Sequence, residues 1–184
     1  MKKVAIFDID GTVFRSSLLI ELTDALIQEG IFSSSTRKLY SRAHKNWLDR
    51  NGPYEEYIEA VIKAFVKNIK GVQYSEFSKI AKKVADFHKD RIYRYSRDII
   101  RNLKKKNYYL LAISHSPQKV VKEFCEKMGF DKIYGRIYEI DSKKRFTGEV
   151  LHLELINDKA EILKRAVKKE KLTLRGSVGM GDTE

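Results

Sequence analysis

The sequence is short of the residues that cross-link or punctuate a chain, with one cysteine, two prolines and ten glycines among 184 residues. A single cysteine cannot close an internal disulfide, so packing has to hold the fold. Cys125 lies among Phe124, Met128 and Phe130 in a helical pattern, which reads as a buried apolar position and not as a nucleophile. So few prolines and glycines exclude a long flexible linker, a collagen-like repeat or a low-complexity chain. No apolar run approaches the ~20 residues that a membrane helix needs. Met1-Lys2-Lys3 leads straight into an apolar run that ends in acids, not in a small-residue cleavage site, so the expected location is the cytoplasm. At the usual ~100 to 200 residues per domain, the length allows one domain, or one domain carrying an insertion. No internal repeat is evident.

Negative charge is also scarce. Lys and Arg number 37 against 25 Asp and Glu, a formal net charge of +12. That balance admits a nucleic-acid partner bound through its phosphates. The excess is spread along the chain, however, and the only tight clusters are Lys104-Lys105-Lys106 and Lys143-Lys144-Arg145, at an expected helix end and an expected turn. A solvated basic face that draws in anionic phosphate esters is the better reading. Neither nucleic acid nor membrane is an expected partner.

What is present is an α/β pattern. Residues 3 to 8, KVAIFD, form an apolar run rich in β-formers that reads as a buried parallel strand, closed by the turn Asp10-Gly11-Thr12. Residues 17 to 94 are helical throughout. Gly30 and Gly71 act as stops, Ser33 to Ser35 and Ser75 as caps, and Pro53 as a start. A helix at about 96 to 107, a strand YYLLAIS at 108 to 114 and a helix across 117 to 128 resume the alternation. IYGRIYEI and RFTGEVL, joined by DSKK, look like a β-hairpin excursion. Asp158-Lys159 opens another helix to about Glu170, and RGSVGMGD returns to a strand ending in an acid. The expected fold is a three-layer α/β/α Rossmann-like core with a parallel sheet, made of residues 1–14 and 95–184, and an inserted four-helix cap at 15–94.

Asp8 and Asp10 stand two apart at the C-terminal end of the first strand, the edge at which open α/β sheets bind ligands. On a strand they would point the same way, about 6 to 7 Å apart, suited to a nucleophile and a metal. An isolated D-x-D also serves merely to cap turns. Embedded in DIDGTVF, it resembles the first signature of the haloacid dehalogenase superfamily, DxDG[TS]. Three further signatures are met in order: Ser114 ending the next core strand, Lys159 at a helix start, and Gly181-Asp182 after the last strand. Each alone has a bland reading, as a cap, a surface lysine or a turn. The helical insertion and YEIDSKKRFTGEV ahead of the lysine resemble the phosphoserine phosphatase-like branch. That branch carries a cap glutamate nine positions after the nucleophile. Here Ser17 stands there, with Glu21 one turn further, so the resemblance does not reach phosphoserine as the substrate.

The resemblance implies a magnesium-dependent phosphatase acting on a small phosphorylated metabolite. Asp8 would be the nucleophile that forms an aspartyl phosphate and Asp10 the general acid and base. Ser114 and Lys159 would hold the phosphate, with Thr12, His115 and Arg15 as further phosphate or substrate contacts. Asp8, the backbone carbonyl of Asp10 and Asp182 would hold Mg²⁺. A phosphotransferase would use the same residues, and a non-catalytic basic nucleic-acid-binding module is the third reading. The family's fourth signature normally continues to a second acid, whereas this sequence ends at Glu184. It therefore looks truncated, and weak activity or stability is the expectation.

Overall fold

Strand β1 (Lys3–Asp8) occupies an interior place in the sheet, paired in parallel with β2 (Tyr109–Pro117) on one side and β5 (Thr173–Met180) on the other. The structure is a computed structural model that describes residues 1–181. β3 (Lys132–Ile140) pairs in parallel with β2 through its first half and antiparallel with β4 (Phe146–Leu151) through its second. The five strands run in the order β4-β3-β2-β1-β5.

Alternation along β1 and β2 sends side chains to opposite faces, as a strand's two-residue period requires. Val4, Leu111 and Ile113 pack with Ile156, Ile162 and Ala166 on one face. Ala5, Phe7, Leu110 and Ala112 enter the larger core on the other. The first face is covered by α7 (Leu153–Asn157) and α8 (Lys159–Lys169). The second is covered by α5 (Arg94–Lys105) and α6 (Gln118–Glu126), whose buried residues include Ile100, Leu103, Val121 and Phe124. Helices therefore flank a mostly parallel sheet on both sides.

Between β1 and α5 lie α1 (Leu18–Gln28), a short 3-10 turn at Ser34–Arg37, α2 (Lys38–Leu48), α3 (Tyr54–Ile69) and α4 (Tyr74–Phe87). Gly30 (φ 73°) and Gly71 (φ 83°) follow the ends of α1 and α3 in the left-handed region, where a side chain would be strained. Pro53 caps α3 as expected. Ser75 does not cap α4: that helix starts at Tyr74 behind Gln73, and Ser75 lies inside its first turn.

The inserted helices and the sheet bury one continuous apolar core. Phe65 meets Phe77 and Tyr138 edge-on, Phe77 meets Phe146 at 4.9 Å, and Phe14 meets Phe124 at 5.1 Å. The hairpin that the sequence presents as an excursion is instead continuous with the sheet, because β3 serves both pairings. Its tip is tied to the α3–α4 loop by main-chain hydrogen bonds from Gly71 to Phe146, from Phe146 to Val72 and from Tyr74 to Lys144, at 2.8, 3.0 and 2.9 Å. Cys125 is fully buried, and burial pushes its thiol well above the ordinary range, in line with its reading as a core residue. Among the described residues no helix is long and apolar enough to cross a membrane.

Candidate active site

Asp8 ends β1, and Asp10 follows it into a tight turn. The Val13 and Phe14 N–H groups both donate to the Ile9 carbonyl, at 3.0 and 2.8 Å. Gly11 (φ 78°) supplies the left-handed residue that this turn requires, and its N–H donates to the Phe14 and Ser16 carbonyls. Because β1 sits between two partners, its C-terminal end opens into the crevice beyond the sheet, not onto a side edge.

Asp8, with its side chain 14% exposed, forms an ion pair with Lys159 at 3.1 Å and accepts from the Ile9 N–H at 2.9 Å. Lys159 reaches it from the first turn of α8, where the Asp158 side chain accepts from the Glu161 N–H and so caps the helix. Burial raises the Asp8 carboxyl above the ordinary aspartate value despite the lysine, whose charge acts in the opposite direction.

Asp10 is held from both sides. The Leu18 N–H at the start of α1 donates to Oδ1 at 2.6 Å, and the Ser114 hydroxyl in the second half of β2 donates to Oδ2 at 2.5 Å. Burial raises its pKa too, with the bond from Ser114 the largest opposing influence. A carboxyl so placed retains a proton more readily than one in water.

The site therefore unites Asp8, Asp10, Ser114 and Lys159 from three separate elements, as the sequence order anticipates. Ser114 and Lys159 each contact one of the carboxylates. Thr12 is buried; its hydroxyl has no hydrogen-bond partner, while its carbonyl accepts from the Ser96 hydroxyl at 2.6 Å. Its free oxygen beside the Asp10 turn is an unspent polar group. His115 is turned toward α7, its Nε2 3.1 Å from the Ile156 carbonyl, and burial lowers its pKa. Arg15 is exposed, with its guanidinium 5.8 Å from the Tyr93 ring centroid, and makes no contact with the two aspartates. Asp182 lies outside the described residues.

Ser116 is a contributor that the sequence reading passes over. Its hydroxyl accepts from the Leu19 N–H at 3.1 Å, and its own N–H donates to the Ser114 hydroxyl at 2.9 Å. The only available signal was the alternation Ser114-x-Ser116 at the strand end. Ser17 and Glu21 are likewise accounted for: Ser17 is buried ahead of α1, and Glu21 is paired with Arg91 at 2.7 Å and His88 at 3.2 Å.

Among the described residues no group of three or more His, Cys, Asp or Glu converges as a ready metal cage. The donors that the strand end does offer are hard oxygens from Asp8 and Asp10. Such a set fits magnesium, which is typically held by one or two carboxylates together with waters and substrate phosphate.

The crevice at the C-terminal edge of the sheet thus holds one carboxylate beside an ammonium and a second, buried carboxyl two residues on. The chain belongs to the haloacid dehalogenase-like hydrolase family, whose model matches residues 5–184. It is 22% identical over 184 residues to a phosphoserine phosphatase of Archaeoglobus fulgidus, covering 98% of this chain and 47% of that protein. The chain thus spans about half the length of the curated relative it matches. Its fold is shared by a phosphoserine phosphatase solved as a phospho-aspartyl intermediate analogue, with a TM-score of 0.58, 22% identity, and coverage of 97% of this chain and 77% of that one. It is also shared by a Bordetella pertussis protein of unknown function, with a TM-score of 0.69, 13% identity, and coverage of 96% and 79%.

Proposed function

We propose that the chain hydrolyses a small-molecule phosphate monoester in the cytoplasm through an aspartyl phosphate on Asp8, with Mg²⁺ as cofactor. The observation that carries this reading is the Asp8–Lys159 pair at the sheet's C-terminal edge, with Asp10 seated two residues on against Ser114. Asp8 attacks phosphorus in line with the ester oxygen. Asp10, whose burial favours the protonated form, donates its proton to the departing alkoxide and then takes one from the water that cleaves the acyl phosphate. Lys159 and Ser114 exchange their carboxylate partners for equatorial phosphate oxygens, where the transition-state charge lies.

Thr12 supplies its unspent hydroxyl to the phosphate loop, His115 orients the turn after Ser114, and Arg15 contacts the leaving group. Asp8, the backbone carbonyl of Asp10 and Asp182 would hold Mg²⁺, which when bound would supply charge neutralisation between carboxylate and phosphate dianion. Residues 1–14 and 95–184 form the catalytic core, and 15–94 the cap that selects the leaving group. Because the two share an apolar core, selection works through local movement near Arg15 and not through a free swing of the cap.

The test is hydrolysis of an aryl phosphate with and without Mg²⁺ by the wild type, Asp8→Asn and Lys159→Met. Turnover should require Mg²⁺, fall to background in Asp8→Asn, and drop by roughly 10²- to 10³-fold in Lys159→Met, the loss typical of removing one transition-state charge partner. Wild-type turnover by Asp8→Asn would overturn the proposal.

A further inference from the structure

A cavity of about 250 Å³ opens on the face of the sheet that carries α7 and α8. Its apolar lining is made by Ile137, Leu155, Ile156 and Ile162 together with Tyr134. Around it stand Lys132, Arg165 and Lys169, and no Asp or Glu lines it. None of these three cations forms an ion pair among the described residues, although every charged side chain of α1 and α6 is paired. Lys132 is spent only on the Tyr134 ring, 5.8 Å from its centroid. The phosphatase reading uses none of these residues.

We propose that this cavity binds a small organic carboxylate with an aliphatic or aromatic body. Its apolar lining would take the body, since small-ligand sites are mostly apolar with a few convergent polar groups. The unpaired cations would take the head, and the planar fork of Arg165 matches a carboxylate's two oxygens. At ~30 Å³ per water, the space equals about eight waters, which restricts the ligand to a body the size of a phenyl or branched alkyl group. An inorganic anion alone would leave the apolar lining uncovered, and a neutral molecule would leave the cations without a partner.

The site also has a built-in reporter. His152, in the left-handed region at φ 54°, lines the cavity, and His115 contacts the carbonyl of Ile156, which also lines it. The other two of the chain's four histidines, His44 and His88, belong to the inserted helices and the loop after them.

The experiment is ring-proton NMR of the four histidines in the full chain, titrated with sodium phenylacetate, with phenylacetamide and with inorganic phosphate. Phenylacetate should move His152 and His115 saturably and leave His44 and His88 in place. The neutral amide and inorganic phosphate should act at least roughly tenfold more weakly. Arg165→Glu combined with Lys169→Glu, two exposed positions on α8, should weaken phenylacetate by a similar factor, and Leu155→Trp should abolish the shifts by filling the space. The proposal is overturned if His152 shows no saturable shift, if all four histidines move alike, if the amide or phosphate moves His152 as well as phenylacetate does, or if the charge reversal changes nothing. None of these outcomes depends on turnover, so a catalytically silent chain would leave the test intact.

Discussion

Truncating Phe146 asks whether the inserted helices and the sheet are one cooperative unit. The ring is 4% exposed and packs edge-on to Phe77 at 4.9 Å and to Tyr138 at 6.4 Å, with Tyr74 tilted against it at 5.8 Å. It stands at the hairpin tip, where strand β4 is hydrogen-bonded to the α3–α4 loop, and so it links the far end of the insertion to the sheet. A buried Phe→Ala change typically costs about 3 to 5 kcal/mol, through lost burial and the cavity left behind. The main-chain bonds to Gly71 and Val72 survive the change, which favours the lower half of that range. For a chain of this size each kcal/mol moves the midpoint by roughly 2 to 4 °C, so Phe146→Ala should melt about 6 to 16 °C lower. Calorimetry is the assay, with Leu39→Ala at a 47% exposed position as the control expected to change little. One transition, shifted whole, is the expected result. A variant that melts within about 2 °C of wild type, or that splits into separate helical and sheet transitions, would refute the shared-core argument.

Two further outcomes follow from particular residues. Burial holds His88 below the ordinary histidine value even though the Glu21 carboxylate pulls the other way, so its contribution to stability is present above pH ~6.5 and is lost as the pH falls from there through the folded pKa. The wild type should therefore lose more melting temperature between neutral and mildly acidic buffer than His88→Gln, and equal losses would remove His88 from the account. Gly135→Ala would place a Cβ 2.7 Å from the Gln118 Cα and 2.9 Å from the Ser116 carbonyl, both main-chain atoms that cannot swing aside. It should destabilise the fold by about 1 to 3 kcal/mol, the usual cost of overpacking. It should also displace the turn after Ser114, read out as a lower kcat for the aryl phosphate; an unchanged melting curve would count against the close approach.

The strongest local patterns were legible without any structure. KVAIFD is a strand because β-formers with no interruption favour a doubly covered sheet position, and it spans Lys3–Asp8 as read. Gly30, Gly71 and Pro53 punctuate the helices because backbone dihedrals are local properties of single residues. The motif order places Asp8, Asp10, Ser114 and Lys159 at successive strand or helix ends, and in a parallel α/β sheet those ends share one crevice. Boundaries were less secure. β2 runs on through Pro117, and α7 escaped notice, because five residues are too few to display a helical period.

Tertiary structure decided the rest, because it depends on partners distant in the chain. That Asp10 is gripped by Leu18 and Ser114, eight and 104 residues away, cannot be read from a spacing. That the hairpin continues the sheet and binds the α3–α4 loop follows from β3 having two edges to satisfy, a demand that only the assembled sheet creates. The rise in both carboxyl pKa values has the same origin. Burial is conferred by the whole fold, whereas the residue types that make it chemically useful are written in the sequence.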